Sequence, residues 1–106
     1  MTDYVQLQIT FPAEDAAMSL AEILVTKKLV ACAQVFGPIK SVYVWQNALE
    51  KSHEILLLAK TKKTLFEKVV AEVRKHHPYQ CPQIIALPLV CGNDDYLQWV
   101  DDALMQ

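Results

Sequence analysis

The chain opens with a segment in which apolar and polar residues alternate. Residues 4–11 read YVQLQITF, a period of two that is typical of a strand burying one face. Pro12 is expected to end this strand and to open a helix at its first turn. Apolar residues then recur at helical spacing over 13–29, where two closing lysines suit a helix C-terminus. A second strand at 31–36 would complete a strand–helix–strand unit with a parallel strand pair and a right-handed crossover.

A long β-hairpin is predicted in the middle of the chain. The β-rich segment that leads into it is interrupted by Gly37-Pro38, which indicates a bulge or bend. Asn47 suits a left-handed turn, and residues 42–61 therefore form an antiparallel hairpin. Its arms are long enough to project beyond a compact core, with unpaired edges and a half-exposed stripe of Tyr43 and Trp45. Such an edge favours pairing with neighbouring subunits.

A second helix is predicted after the hairpin. Thr64, with Glu67 three residues later, has the pattern of a capping box, which predicts the start of this helix. Pro78 disfavours helical dihedral angles at His77, so the helix should end near His76.

The C-terminal part adds a strand and a helix. The apolar segment QIIALPLV at 83–90 predicts a central strand whose far end is pushed towards an edge by Pro88. Asn93 and the acids after it predict the N-terminus of a last helix. The order βαββαβ with an extra C-terminal helix predicts an α+β, ferredoxin-like sandwich over one domain, residues 1–106.

Composition and charge exclude several classes of partner. Apolar residues make up 53% of the chain and charged residues 21%, more apolar than an average soluble domain, so part of this surface is expected to lie between subunits. A net charge of -2 gives no basic surface of the kind that binds nucleic acid. Two lysine clusters are expected to be solvated, one at Lys27 and Lys28 and one at Lys60, Lys62 and Lys63. No signal-peptide pattern or membrane-length apolar run occurs, and three cysteines without C-x-x-C spacing fit a reducing cytoplasm.

The segment KHHPYQC, from Lys75 to Cys81, carries the most chemistry for its length. A histidine at a helix C-terminus complements the helix dipole, whereas imidazole and thiolate groups are also ligands for copper and zinc. Cys32 is expected to be small, buried and inert, although a Cys32 thiol that met the His77 imidazole would favour these metals. The sequence alone leaves two roles open for this segment, the end of a helix and a metal site.

Acidic residues near the hairpin give a second candidate. Glu50 and Glu54, with His53 beside them, are expected to flank the turn as solvated charges, and a divalent metal or a cationic ligand is the alternative. The chain contains no phosphate-binding loop, nucleophile elbow or H-E-x-x-H motif, so no enzymatic activity is expected.

Four ordered segments together resemble the CutA family of divalent-cation tolerance proteins: LVACAQVFGPIKSVYVWQ, HEILLLAKT, HHPYQCPQIIALPL and GNDDYLQW. The resemblance covers nearly the whole chain. It implies a ferredoxin-like protomer held in a homotrimer by its hairpin arms, a bacterial cytoplasmic location, and a link to tolerance of copper and other divalent ions. Similarity of such trimers to PII signalling proteins implies an alternative role in signalling.

The resemblance also implies site residues. In copper-linked members the metal is associated with the histidine of the H-P-Y motif, here His77, and with an acid where this chain has Gln83. Gln83 lacks that charge, Ile9 stands where some members have a cysteine, and Cys81 is an addition that could compensate. The candidate metal ligands are His77, Cys81, Cys32 and Gln83, and no metal is expected to be required for folding. The candidate ligand cleft consists of Tyr43, Trp45, Glu50, Glu54, Lys60 and Tyr79.

Two functions follow from these residues. The first is a homotrimer that binds copper or another divalent ion as a sensor or buffer. The second is a PII-like adaptor that holds a small molecule or a partner segment in a cleft between subunits.

Overall fold

The computed structural model describes residues 3–106, which form one four-stranded sheet and three α-helices. In chain order these are β1 (Tyr4–Phe11), α1 (Glu14–Thr26), β2 (Cys32–Trp45), β3 (Ala48–Lys62), α2 (Phe66–His76), β4 (Ile84–Pro88) and α3 (Asp94–Ala103). A short 3-10 turn, Lys63–Leu65, leads into α2. The predicted α+β order βαββαβ with an extra helix is confirmed.

The sheet has the strand order β2-β3-β1-β4, and every neighbouring pair is antiparallel. β1 and β2 run in the same direction but β3 lies between them, so the predicted direct pairing of β1 with β2 is wrong. The prediction of a central last strand is also wrong, because β4 lies at the edge beside β1. A continuous apolar run does not distinguish a central strand from an edge strand that another surface covers.

The hairpin of β2 and β3 turns on two residues. Gln46 and Asn47 have φ angles of 50° and 68° between the paired residues Trp45 and Ala48, as a two-residue hairpin turn with both central residues left-handed requires. The predicted bulge is confirmed, since the register shifts between Phe36 and Ile39. Gly37 within it has φ +140°, and a Cβ there would lie 2.9 Å from the carbonyl oxygen of Glu54.

The main core lies between the sheet and the helices α1 and α2. Alternate residues of β1 face these helices, and Leu7 and Ile9 are fully buried. Their neighbours in the same cluster include Leu24, Leu57 and Val73. A smaller core beside α3 contains Ala31, Leu65, Val100 and Leu104. Across the described chain, no helix has the length and apolar character needed to span a membrane.

Helix boundaries correct two predictions and confirm a third. α1 begins at Glu14 with Ala13 as its N-cap, so Pro12 precedes the first turn rather than occupying it. Thr64 lies in the 3-10 turn, and the N-cap of α2 is Leu65, which makes no side-chain capping hydrogen bond. α2 ends at His76, and the residue after it is extended, as the following proline predicts.

Candidate functional site

A cavity of about 650 Å³ lies along the hairpin, from Glu54 near the bulge to Trp45 beside the turn. β2 contributes Ser41, Tyr43 and Trp45 from one strand face, because side chains at alternate positions point the same way, and it also contributes Val42 between them. The segment after α2 closes the other side. The lining residues are Thr10, Ser41, Val42, Tyr43, Trp45, Glu54, Pro78, Tyr79, Gln80, Cys81 and Gln83.

The cavity lies on the sheet face opposite α1 and α2. Leu57 is fully buried among the helix-facing residues, and Glu54 is three positions before it on β3, which places Glu54 on the other face. Thr10 is paired with Leu56, which shares the face of Glu54. The arm therefore presents its cavity where no helix of the described protomer covers it.

Glu54 is the buried acid of the cavity. The residue is 8% exposed, and its Oε2 accepts a hydrogen bond of 2.8 Å from the Tyr79 hydroxyl. Burial, followed by this bond, raises the pKa of Tyr79 well above its usual value of 10, so the phenol stays protonated and donates. The prediction that Glu54 flanks the turn is wrong, since it pairs with Ile39 at the bulge end of the ladder.

His77 uses both ring nitrogens within the protein. Its Nε2 lies 2.7 Å from the carbonyl oxygen of Thr10, and its Nδ1 accepts a hydrogen bond of 3.1 Å from the Tyr79 amide. The ring also stacks on Phe11 with centroids 4.6 Å apart. Because an amide always donates, Nδ1 carries the lone pair and Nε2 the proton. Burial lowers the pKa of His77, against the Thr10 bond, which raises it.

The four predicted metal ligands do not lie together. Cys81 and Gln83 are exposed at the rim of the cavity, whereas His77 does not line it and contacts Thr10 and Tyr79 instead. Cys32 pairs with Lys60, whereas the Thr10 that binds His77 pairs with Leu56, roughly 13 Å away along β3 at the usual rise of a strand. In residues 3–106 no group of three His, Cys, Asp or Glu side chains is placed to hold a metal ion.

Cys32 has a different partner. Its Sγ lies 3.5 Å from the hydroxyl of Tyr96 on α3, and this contact, with burial, raises the pKa of Tyr96 to about 12. Cys32 is only half-buried, so the expectation that it is buried is wrong, and its inertness stays a prediction.

The predicted ligand cleft is assembled in part. Tyr43, Trp45, Glu54 and Tyr79 line the cavity together. Glu50 is exposed and pairs with Tyr43 without lining it, and the Lys60 Nζ lies 3.4 Å from the Gln34 side-chain oxygen at the other end of the ladder. The sequence analysis missed Ser41 as a cavity residue. It lies at the alternating position before Tyr43 and Trp45, so the strand periodicity predicts that it shares their face.

A separate polar cluster joins α1 to α2. The buried carboxylate of Glu72 lies 3.0 Å from Lys27 Nζ, 3.2 Å from His76 Nε2 and 3.7 Å from Lys75 Nζ. The hydrogen bond from Lys27 is the main cause that lowers the pKa of Glu72, against burial, which raises it. Lys27, in one of the two lysine clusters expected to be solvated, is 53% exposed, which confirms that expectation, and its ammonium group also links the two helices through this ion pair.

Comparison with known proteins decides the family. A family model described as CutA1 divalent ion tolerance protein matches residues 5–103. The chain belongs to this family. It is 40% identical over 92 residues to a divalent-cation tolerance protein CutA of Thermus thermophilus, covering 87% of this chain and 89% of that one. The crystal structure of CutA1 from Oryza sativa superposes with a TM-score of 0.95 at 31% identity, covering 99% of this chain and 96% of that one.

Some relatives are longer. The chloroplastic CutA protein of Arabidopsis thaliana is 37% identical over 95 residues, which are 90% of this chain but 52% of that protein. The chain thus spans about half the length of that relative. The family description is one of divalent ion tolerance rather than of an enzyme, and it favours the tolerance hypothesis over a signalling module.

Proposed function

We propose that the protein contributes to divalent-cation tolerance as a cytoplasmic homotrimer that binds copper or a similar ion and acts as its sensor or buffer. The observation that carries the proposal is the exposed thiol of Cys81 beside Gln83 at the cavity rim, in a chain that belongs to a divalent ion tolerance family. Thiolates are preferred ligands of copper(I) and zinc. The free cysteines support a reducing compartment.

The ligand set of this proposed site is centred on Cys81. Gln83 offers a neutral oxygen and binds more weakly than a carboxylate would. His77 can join only by releasing the Tyr79 amide from Nδ1, at a cost of about 1 kcal/mol for a lost hydrogen bond. Cys32 lies outside this group, so water or residues of neighbouring subunits would fill the remaining coordination positions of the ion.

Exposed apolar residues support the homotrimer. The arm exposes 65% of Val42, 69% of Val44 and 65% of Leu49, and the edge strand β4 exposes 43% of Ile85. Apolar surface on a sheet edge and on a projecting hairpin is typical of an interface. Sedimentation at micromolar concentration tests this assembly, and a monomer mass would contradict it.

An anaerobic copper(I) titration of the reduced protein tests the metal site. Wild type is expected to bind one ion per protomer, and Cys81→Ser to weaken binding by more than the roughly 10–100-fold typical of losing a supporting residue. Cys91→Ser is the matched control, because Cys91 is also free and exposed and does not line the cavity. His77→Ala should weaken binding less than Cys81→Ser.

Two results would contradict the site. Copper bound equally by wild type and Cys81→Ser would exclude this thiol. Equal losses in Cys81→Ser and Cys91→Ser would mean that copper binds any exposed thiol.

A further inference from the structure

Glu54 is a buried acid without a cationic partner among the described residues. The ion pairs within residues 3–106 are those of Lys27, Lys75 and His76 with Glu72, and of Lys62 with Asp101. Glu54 has only the neutral hydroxyl of Tyr79 on its Oε2. A carboxylate this deeply buried is normally paired with a cation, so Glu54 is a candidate partner for a cationic ligand in the cavity.

The walls around this acid are aromatic. Tyr43, Trp45 and Tyr79 line the same cavity as Glu54. The Tyr43 hydroxyl is held by Ser52 at 3.3 Å, and the Tyr79 hydroxyl is held by Glu54, so both rings are fixed in position. The negative faces of aromatic rings attract a cation, and pockets of this composition recognise substituted ammonium groups.

The size of the cavity also fits an organic cation. About 650 Å³ lies within the range of small-molecule sites, which are largely apolar and carry a few polar groups that orient the ligand. A bare metal ion requires several donors converging within coordination distance, whereas aromatic walls around a single carboxylate suit an ammonium group that carries an apolar body.

We propose that the cavity binds a small alkylammonium ion. Its ammonium group pairs with the Glu54 carboxylate, and its hydrocarbon part packs against Tyr43 and Tyr79, whose hydroxyls lie at Ser52 and Glu54. This inference goes beyond the copper site proposed above, because it uses the inner wall of the cavity rather than the Cys81 thiol at the rim.

Binding of cyclohexylammonium to metal-free protein, kept in a chelator, tests the proposal by calorimetry. The neutral cyclohexanol has nearly the same size and is the ligand control. Wild type is expected to bind the amine and not the alcohol. Glu54→Gln keeps an acceptor for Tyr79 but removes the charge, and should weaken binding about tenfold or more, the loss of one charge-assisted hydrogen bond.

Matched variants make the result specific. Glu50→Gln removes a carboxylate from the same strand, outside the cavity, and should bind as wild type does. Tyr43→Ala, at an exposed position, should weaken binding without unfolding the protein, and keeps the test open if Glu54→Gln does not fold. Circular dichroism verifies the fold of each variant.

Three outcomes would overturn the proposal: no binding of the amine by wild type, equal binding of the alcohol, or equal losses in Glu54→Gln and Glu50→Gln. Amine binding is measured in a chelator, without copper and without any change at Cys81. Failure of the copper site therefore leaves this inference standing, and the reverse also holds.

Discussion

The two ends of the sheet carry similar residues in opposite environments. At the end covered by α1 and α2, Leu7 and Ile9 of β1 are fully buried. At the hairpin end, Val42 and Val44 are 65% and 69% exposed. The protomer measures 45 × 26 × 22 Å, and the arm accounts for its length. Apolar side chains are buried within the protomer at the helix-covered end and are exposed at the hairpin end.

This difference separates two sources of stability. Burial of apolar side chains is the main favourable contribution to folding, and within one protomer only the helix-covered end provides it. The arm can gain this contribution only when a second surface covers it. Changes at the two ends should therefore be measured by different quantities, the free energy of unfolding at one end and the mass of the assembly at the other.

The largest expected effect separates the two ends directly. Leu7→Ala removes a fully buried side chain and should lower the free energy of unfolding by about 2–5 kcal/mol, measured by urea denaturation. Val44→Lys in the arm should leave the far-ultraviolet circular dichroism unchanged and lower the sedimentation mass of the proposed homotrimer. If Val44→Lys kept the wild-type mass, the arm would not be part of an interface.

A smaller effect is expected at the junction between the ends. Gly37→Ala places a Cβ 2.9 Å from the Glu54 carbonyl oxygen at a φ of +140°, and should cost about 1–3 kcal/mol of stability. Gly92→Ala is the control, since its Cβ would meet only the flexible side chain of Leu97, at 3.2 Å. Equal shifts of the urea midpoint in the two variants would contradict the claim that the bulge requires glycine.

The smallest effect concerns pH and the helix-covered end alone. Glu72 has a folded-state pKa below its usual 4.5, chiefly because of Lys27. Its contribution to stability is therefore complete above pH 4.5 and is lost as the pH falls through the lower folded-state value. Stability of the wild type should decline more steeply between pH 5 and 3 than that of Glu72→Gln, by a small amount because Lys27 is exposed to solvent.

The control for this pH dependence is Glu67→Gln, at an exposed position on the same helix. It should retain the wild-type slope when unfolding is measured at each pH. A wild-type slope in Glu72→Gln would show that other carboxylates account for the acid sensitivity.

Local chemistry made much of the fold predictable. The alternation in β1, the end of α2 before Pro78 and the left-handed turn at Asn47 each depend on neighbouring residues, and each is found in the structure. The order of strands in the sheet depends on contacts between distant segments. For this reason the periodicity of 83–90 predicted a strand correctly but placed it at the wrong position in the sheet.

The candidate site was harder to predict because it depends on register. Tyr43, Trp45 and Tyr79 were correctly grouped, but Lys60 was included with them although the ladder places it opposite Cys32. Glu54 was expected at the turn because it is near the turn in sequence, whereas the long hairpin carries it to the bulge. The engagement of both His77 nitrogens could not be read from the sequence, since the partners lie in β1 and in the following loop.

The bulge at Gly37 also sets the phase of the whole arm. Before the bulge, even-numbered residues of β2 share a sheet face with even-numbered residues of β3, as Phe36 does with Leu56. After the bulge, the odd-numbered residues of β2 share that face with the even-numbered residues of β3, as Tyr43 does with Glu50. One extra residue therefore inverts which side chains reach the cavity. A change of length by a single residue before the arm would exchange its aromatic face for its aliphatic one, a larger alteration of this surface than any single substitution.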